Sequence, residues 1–414
     1  LDNSKKFPHV IEMDSKIANA FDRNNYELFW RPDLWYNRYD GTKLGIHING
    51  NYLKNFHNFD FTVWMNSGLG QTGLDSSVFI NKFDKLSYRL SYNTQLPKFG
   101  KFTRLDLHSS YLEGLQRYEL GISKSSKNKY NRLRIFAKAM YRKDFNALQY
   151  LLLPKEWMAD KWNNTVNIDF NHIYHYRRGQ GSITVVLRSS ILGSNYDYAT
   201  LKLNVVNQNY IKKFVFSTRF FAQYGAGSNI PLESSLFAAG ANPEEMMDNK
   251  YTRSAGAFSV QNAQYGADIN HFQMGGGLNL RGYAGYLLPQ QTKDGNIVFG
   301  HRGISGASGS AELEFSEYVK WHSARWRQYF DFDYYLFGDA GMLLVPTGTV
   351  QNDLGVFTAD AGLGTTLKIK KFRKLETVRP LVIRCDFPLF NSRTPYVAND
   401  GFVFRWVLGI NRAF

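Results

Sequence analysis

The sequence predicts an all-β chain, a closed antiparallel transmembrane β-barrel of about sixteen strands with one long external loop. Three observations predict it. Apolar and polar residues alternate with a period of two from Thr42 onward, and the polar face carries charges of both signs. Aromatic residues are abundant, with 26 Tyr, 32 Phe and 8 Trp, yet mean hydropathy is −0.38. That combination suits a wall in which only every second strand residue faces lipid. No run approaches the roughly 18 uninterrupted apolar residues of a membrane helix. A large soluble all-β protein is the competing class, but its outward face would be the polar one.

Residues 1–41 are polar and contain Pro8 and Pro32, which break regular elements. They read as a periplasmic lead-in or linker, and residues 42–414 as the barrel. In the first strand Leu44, Ile46 and Ile48 oppose Lys43, Gly45, His47 and Asn49. Phe59, Phe61, Val63 and Met65 then oppose Asp60, Thr62, Trp64 and Asn66. Leu86, Tyr88, Leu90 and Tyr92 oppose Ser87, Arg89, Ser91 and Asn93. The pattern continues through Leu105 and Leu107, through Tyr118, Leu120 and Ile122, and through Leu133, Ile135 and Ala137. It returns near 163–174, 180–191, 198–208 and 211–223, and again near 304–318, 330–345, 356–369, 378–390 and 401–414.

These segments are odd in number, whereas a closed single-chain bacterial barrel has an even count. The short run Ala147 to Leu153 is the candidate for the missing strand. Adding it puts both termini on the periplasmic side and makes residues 224–303 one long external loop. In the last strand Phe402, Phe404, Trp406, Leu408 and Ile410 share the lipid face with Phe414. Arg412 would snorkel from that face, and Phe414 would sit in the interfacial girdle. Closure would pair the strand of Leu44 and Ile46 with that of Trp406, Leu408 and Phe414, forming the seam.

The formal charge is +15. Lys and Arg are spread along strands and turns, and only Lys368 to Lys374 is dense. This points to outer-membrane lipid and anionic lipopolysaccharide as partners and away from nucleic acid. The single cysteine, Cys385, allows no internal disulfide. The chain opens at Leu1 without a signal peptide, which predicts a mature or trimmed product with a portion upstream.

Signals of catalysis are weak. Gly68-Leu69-Gly70-Gln71-Thr72-Gly73 has dinucleotide spacing but no helix pattern after it, so it reads as a turn. His172 and His175 fall on opposite faces of a strand and cannot share a metal. There is no His-Glu-x-x-His and no nucleophile elbow. No catalytic residue, metal or cofactor is expected in this chain.

One stretch stands apart, Gly275-Gly276-Gly277-Leu278-Asn279-Leu280-Arg281-Gly282-Tyr283. Its glycines let backbone pass close to other structure, and its arginine is placed for a bidentate ion pair. Leu280-Arg281-Gly282-Tyr283 resembles the arginine-glycine-aromatic motif in the sixth external loop of the BamA, TamA and FhaC superfamily, the bacterial surface antigen type. Ser310-Ala311-Glu312-Leu313-Glu314-Phe315 is similar to that family's next strand, and Phe337-Gly338-Asp339-Ala340-Gly341 to the strand after it. The ending through Phe414 is similar to its assembly signal. The resemblance covers residues 270–414; earlier strands match in pattern only.

The resemblance implies that the loop folds back into the lumen and that Arg281, with Gly282 and Tyr283, pairs with acids on the wall. Alternation independently places Asp339 and Glu312 on the charged face. The implied function is outer-membrane protein assembly or polypeptide translocation, with unfolded polypeptide clients or accessory proteins as partners. The family's periplasmic repeats are not seen ahead of the barrel. Gly240-Ala241-Asn242-Pro243-Glu244-Glu245 instead resembles barrels fused to a metallopeptidase-like domain. The alternative function is therefore a membrane anchor or conduit for an upstream metallopeptidase-like or patatin-like enzyme, and a passive pore is the third.

Overall fold

In a computed structural model, the described residues are 10–13, 26–53, 56–71, 84–144, 146–254, 270–291, 295, 297–319, 329–345, 354–372, 375–393, 401–410 and 412–413. Phe414 lies outside them. The chain divides into two compact units. One is Leu1–Phe170 with Arg188–Asp197 and Arg253–Ala257, and the other is Asn171–Leu187 with Tyr198–Thr252 and Phe258–Phe414.

The first unit contains β1 (Val10–Met13), β2 (Glu27–Asn37), β3 (Gly41–Tyr52), β4 (Phe56–Asn66), β5 (Leu86–Gln95), β6 (Thr103–Leu112), β7 (Leu115–Ser125) and β8 (Asn131–Arg142). β2 through β8 form an antiparallel meander, each strand pairing with the next. β1 adds to β2 in parallel. There follow β9 (Trp162–Tyr176), β10 (Gly179–Ser190), β11 (Asp197–Ile211) and β12 (Phe214–Asn229).

The remaining strands belong to the second unit. A loop region carries β13 (Leu236–Phe237), β14 (Asn270–Met274), β15 (Pro289–Gln291), β16 (Ile297–Phe299) and β17 (Arg302–Gly303). The meander resumes with β18 (Ser305–Glu314), β19 (Phe330–Val345), β20 (Leu354–Phe372), β21 (Leu375–Asn391) and β22 (Trp406–Ile410). β12, β18, β19, β20, β21 and β22 pair antiparallel in that order. β14 adds to β22 in parallel, and β13 pairs with β17 at the base of the loop.

Two sequence expectations need correction. The extra strand is Glu27–Asn37, inside the segment read as a lead-in, while Asn146–Tyr150 is a 3-10 turn. Among the described residues eleven strands, β2 to β12, then precede the loop region and five, β18 to β22, follow it, which makes sixteen. Pro32 is tolerated because the register with β3 runs through it without a shift, while β1 covers β2 only from Glu27 to Trp30. A proline can stand in a strand where its missing N–H meets no neighbour. The seam also changes. β3, with Leu44 and Ile46, is paired on both edges, by β2 and β4, and so is not a terminal strand. Trp406 and Leu408 pair with Asn270 and Phe272 of β14 instead.

The faces are inverted relative to a soluble sheet. In the first unit Leu44, Ile46, Met65, Leu86, Leu120 and Ile122 are exposed, while Lys43, His47, Glu119 and Lys138 are buried. In the second, Leu336, Met342 and Phe357 are exposed, while Glu312, Asp333, Asp339, Arg384 and Asp386 are buried. The buried charges are paired, as they must be away from water. Glu119, for example, holds Arg117 at 2.5 Å and Arg134 at 3.1 Å. At the last strand the expectation fails in part. Phe402 and Phe404 are exposed, but Ile410, flanked by Ile383 and Met274, is buried. β22 ends there, and Arg412 turns toward carboxylates rather than lipid.

Glycines let long side chains cross a whole strand. Trp64 passes over Gly45 and donates to Asp33 of β2 at 2.9 Å. Tyr335 passes over Gly364 and donates to Asp386 of β21 at 2.5 Å. Arg384 passes over Gly409 and donates to Gln273 of β14. At each glycine a Cβ would run into the crossing side chain.

Candidate functional site

The segment from Gly275 to Leu288 lies on the polar face of β18 to β21 in the second unit. Its backbone is anchored to β13 and the residue after it, with Leu278 N–H donating to Phe237 O at 3.0 Å and Leu280 N–H to Ala238 O at 3.0 Å. Gly277, at φ +51, turns the chain where a Cβ would stand 2.5 Å from Phe237 O, a conformation that favours glycine. Arg219 of β12 donates to the Gly277 carbonyl at 2.8 Å. Leu278, Leu280, Tyr283, Tyr286 and Leu288 then pack with Phe221, Leu236, Leu343 and Val345 into a buried apolar cluster.

That packing delivers Arg281 to the wall on a single 3-10 turn, Arg281–Tyr283. The guanidinium is 0% exposed. Its Nε and Nη2 donate to the two oxygens of Asp339 at 2.7 and 3.0 Å, a bidentate fork. Nη1 donates to Glu312 Oε1 at 2.6 Å and lies 3.9 Å from Asp386 Oδ1. The plane stacks 3.9 Å over the Phe337 ring, a cation–π contact in a desolvated setting. Burial alone would lower the Arg281 pKa, but Asp339, Glu312 and Asp386 outweigh it and hold the guanidinium well above its ordinary value.

Gly282 and Tyr283 complete the turn. A Cβ on Gly282 would collide with Asn391 Oδ1 and stand 2.7 Å from Asp360 Cβ. Asn391 donates to the Gly282 carbonyl at 2.8 Å. The Tyr283 hydroxyl donates to Ala359 O at 3.3 Å and accepts from Arg393 N–H at 3.1 Å. The structure thus brings Arg281, Gly282, Tyr283, Asp339 and Glu312 together, whereas Leu44 and Ile46 belong to the first unit, on the exposed face of β3.

Arg412 belongs to the same cluster, although parity along the last strand assigned it to lipid. Its guanidinium lies 2.7 Å from Glu314, 3.4 Å from Glu312 and 3.8 Å from Asp333. Glu312 is therefore shared between Arg281 and Arg412. The sequence held one signal for this, since Glu312 and Glu314 share a face and call for more than one cation.

The first unit holds a second buried network that the sequence did not reveal. Lys43 Nζ lies 3.0 Å from Asp40 and 3.1 Å from Glu113. Arg253, from the long loop, lies 3.0 Å from Glu113. Tyr150 donates to Asp40 at 2.6 Å, and Arg142 to the Glu113 carbonyl at 2.5 Å. Burial would raise the Glu113 pKa, but Arg253 and Lys43 overcome it and lower it. Burial prevails at Asp40, which is raised despite Lys43. Lys43 stands on the inward side of its strand, a position that requires an acid; nothing in the loop sequence marks Arg253.

Gly240 to Glu245 has a structural role. Asn242 caps the short helix α1 (Pro243–Met246) in a capping box with Glu245, and Glu245 also pairs with Lys202 at 3.1 Å. Among the described residues no cluster of potential metal ligands occurs, and no helix is long and apolar enough to cross a membrane.

No family model matches the chain, and no curated protein does. Solved structures do. BamA from Haemophilus ducreyi lacking POTRA domains 1-3 is similar at 13% identity over 92% of this chain and 69% of that one, with a TM-score of 0.45. CdiB from Acinetobacter baumannii is similar at 10% identity over 89% of this chain and 49% of that one, with a TM-score of 0.36. The outer membrane protein OprD from Pseudomonas aeruginosa is similar at 7% identity over 92% and 81%, with a TM-score of 0.40. The chain's own surfaces carry the assignment. Strands with exposed apolar residues over a charged, buried face are those of an outer-membrane β-protein, and the chain belongs in the bacterial outer membrane.

Proposed function

We propose that the chain closes into a sixteen-stranded barrel of the BamA-type superfamily and acts on polypeptide, assembling outer-membrane proteins or passing a chain across the membrane. The observation that carries this reading is the Arg281 turn, bound by Asp339 and Glu312 with no exposed surface. A passive pore needs an open aqueous path along its charged wall. Here that wall holds a loop through ion pairs and an apolar cluster, which supports a plug that moves when the barrel works. Lipid and lipopolysaccharide surround the protein in this reading, and the clients are unfolded polypeptides, with or without accessory proteins.

The test is reconstitution of the purified chain in lipid vesicles with an unfolded outer-membrane protein added outside. Faster membrane insertion of the client than in empty vesicles is the expected result, and Arg281→Ala should change that rate. Steady ion conductance with no effect on client insertion would overturn the reading in favour of a pore.

A further inference from the structure

The exposed face of the first unit is not smooth along β6 to β9. It holds a groove of about 510 Å³ lined by Leu105, Leu120, Ile122, Ile135, Ala137 and Val166, with Lys124 next to the end of β7. That volume falls within the roughly 300–1,000 Å³ of small-molecule sites. Ala137 stands opposite Leu120 in the register of β7 and β8, and its short side chain leaves the hollow. Leu120 and Ala137 also line a second groove of about 650 Å³, which continues toward Tyr118 and Trp162. From Lys124 to Tyr118 the grooves follow β7 for about 20 Å. On a strand tilted about 45° that is close to half the ~30 Å hydrocarbon thickness, the depth of one leaflet.

Lys124 is out of character on this face. It alternates in phase with the exposed Tyr118, Leu120 and Ile122, where a cation has to reach for the interface. Its Nζ lies against the turn between β5 and β6, where a Cβ on Gly100 would stand 3.9 Å from it. The Ser125 N–H joins that turn to the end of β7, donating to Phe102 O at 3.2 Å. Residues 96–104 and 121–134 contain no acid, yet they carry Lys98, Lys101, Lys124, Lys127 and Lys129. Among the described residues none of these five forms an ion pair with a carboxylate. Phe99 and Phe102 are exposed beside them, as interfacial aromatics are. The turns at this end of the first unit, 53–55, 96–102 and 126–130, are short, and the two long connections, 67–85 and 143–161, are at the opposite end. Short turns face the periplasm, so these cations meet the leaflet made of phospholipid rather than lipopolysaccharide.

We propose that the groove and its lysines form a binding site for one anionic phospholipid, with the phosphate at Lys124 and Lys101 and an acyl chain against Ala137. The site needs only the membrane location and is independent of any action on polypeptide. The apolar walls hold the chain, and the unpaired cations select the charge of the headgroup.

Native mass spectrometry of the full, delipidated chain in detergent tests this, with phosphatidylglycerol, phosphatidylcholine or lipid A added. One phosphatidylglycerol should stay bound at concentrations that leave no phosphatidylcholine or lipid A. The double change Lys101→Gln and Lys124→Gln should weaken phosphatidylglycerol binding about 30-fold, from the attraction of two cations to an anionic lipid. Ala137→Leu fills the groove with every charge in place and should also displace the lipid. Lys143→Gln with Lys155→Gln, in the connection at the other end, should leave binding unchanged. All these positions are exposed, and heat-modifiable migration reports that each variant is folded. Equal retention of phosphatidylglycerol and phosphatidylcholine would overturn the proposal. So would binding that Ala137→Leu leaves intact, or that the Lys143 and Lys155 changes weaken as much as those at Lys101 and Lys124. Preference for lipid A would overturn it in favour of lipopolysaccharide. Client insertion has no part in this readout, so either assay can fail while the other succeeds.

Discussion

Replacing Arg281 with alanine should be among the most damaging single changes to the second unit. The guanidinium is fully buried and binds both oxygens of Asp339 at 2.7 and 3.0 Å. Removing it leaves the Asp339 charge without its fork. Breaking a buried pair from one side costs about 3–5 kcal/mol, less where water enters, and we expect the lower half of that range. Asp339→Ala should cost a similar amount. Glu312→Ala should cost less, about 1.5–3 kcal/mol for lost charged hydrogen bonds. After it, Arg281 keeps Asp339, and Arg412 keeps Glu314 at 2.7 Å. Arg281→Lys cannot reproduce the fork and should recover only part of the loss. The assay is a double-mutant cycle on thermal unfolding in detergent, with protease cleavage of the loop as a second readout. Arg281 and Asp339 should be less than additive by about 0.5–3 kcal/mol. Strict additivity for that pair and for Arg281 with Glu312 would refute the idea that these side chains hold the loop.

Other substitutions probe separate parts of the structure. Leu336→Arg, on the exposed face of β19, should cost about 2–4 kcal/mol in bilayers if it lies near the midplane; a change within about 0.5 kcal/mol, as at an ordinary wet surface site, would contradict a lipid-facing wall. Gly282→Ala forces a Cβ onto Asn391 and Asp360, so unfolding measurements should show a loss of about 1–3 kcal/mol by overpacking, with the loop released to protease. The Glu113 carboxylate lies below its ordinary value of 4.5 in the folded chain. Its stabilising contribution is therefore complete above that value and is lost as pH falls through the lowered folded pKa. Glu113→Gln should accordingly flatten the acid limb of stability against pH, whereas Asp40, raised by burial, acts with the opposite sign; an acid limb identical in Glu113→Gln and the unmodified chain would show that Glu113 does not contribute.

Period-two alternation made the wall legible from sequence because only one face of each strand meets solvent or lipid. It placed Glu312 and Asp339 on the face that Arg281 occupies. What it could not supply came from places without period. Glu27–Asn37 was hidden by Pro32, which marks a breaker locally but is harmless where the N–H has no neighbour. Ala147 to Leu153 carries apolar residues, yet Leu148, Tyr150 and Leu151 are buried in a turn rather than spaced along a strand. Arg412 looked lipid-facing by parity, but β22 ends at Ile410, and beyond a strand end parity has no force. β14 and Arg253 lie in a long loop, where pairing is decided by tertiary structure alone.

Glu312 carries a consequence for how the molecule holds together. One oxygen binds Arg281, and the other faces Arg412, which follows Glu312 by 100 residues. Without Arg412, Glu312 has only one of its two cations, and Glu314 and Asp333 lack Arg412 as well. A chain truncated just short of Arg412 would retain every residue of the loop turn and yet meet carboxylates with one cation fewer. The seat of the loop is in this way built from both sides of the wall's last strands, and a change beyond β22 reaches the loop through a single shared carboxylate.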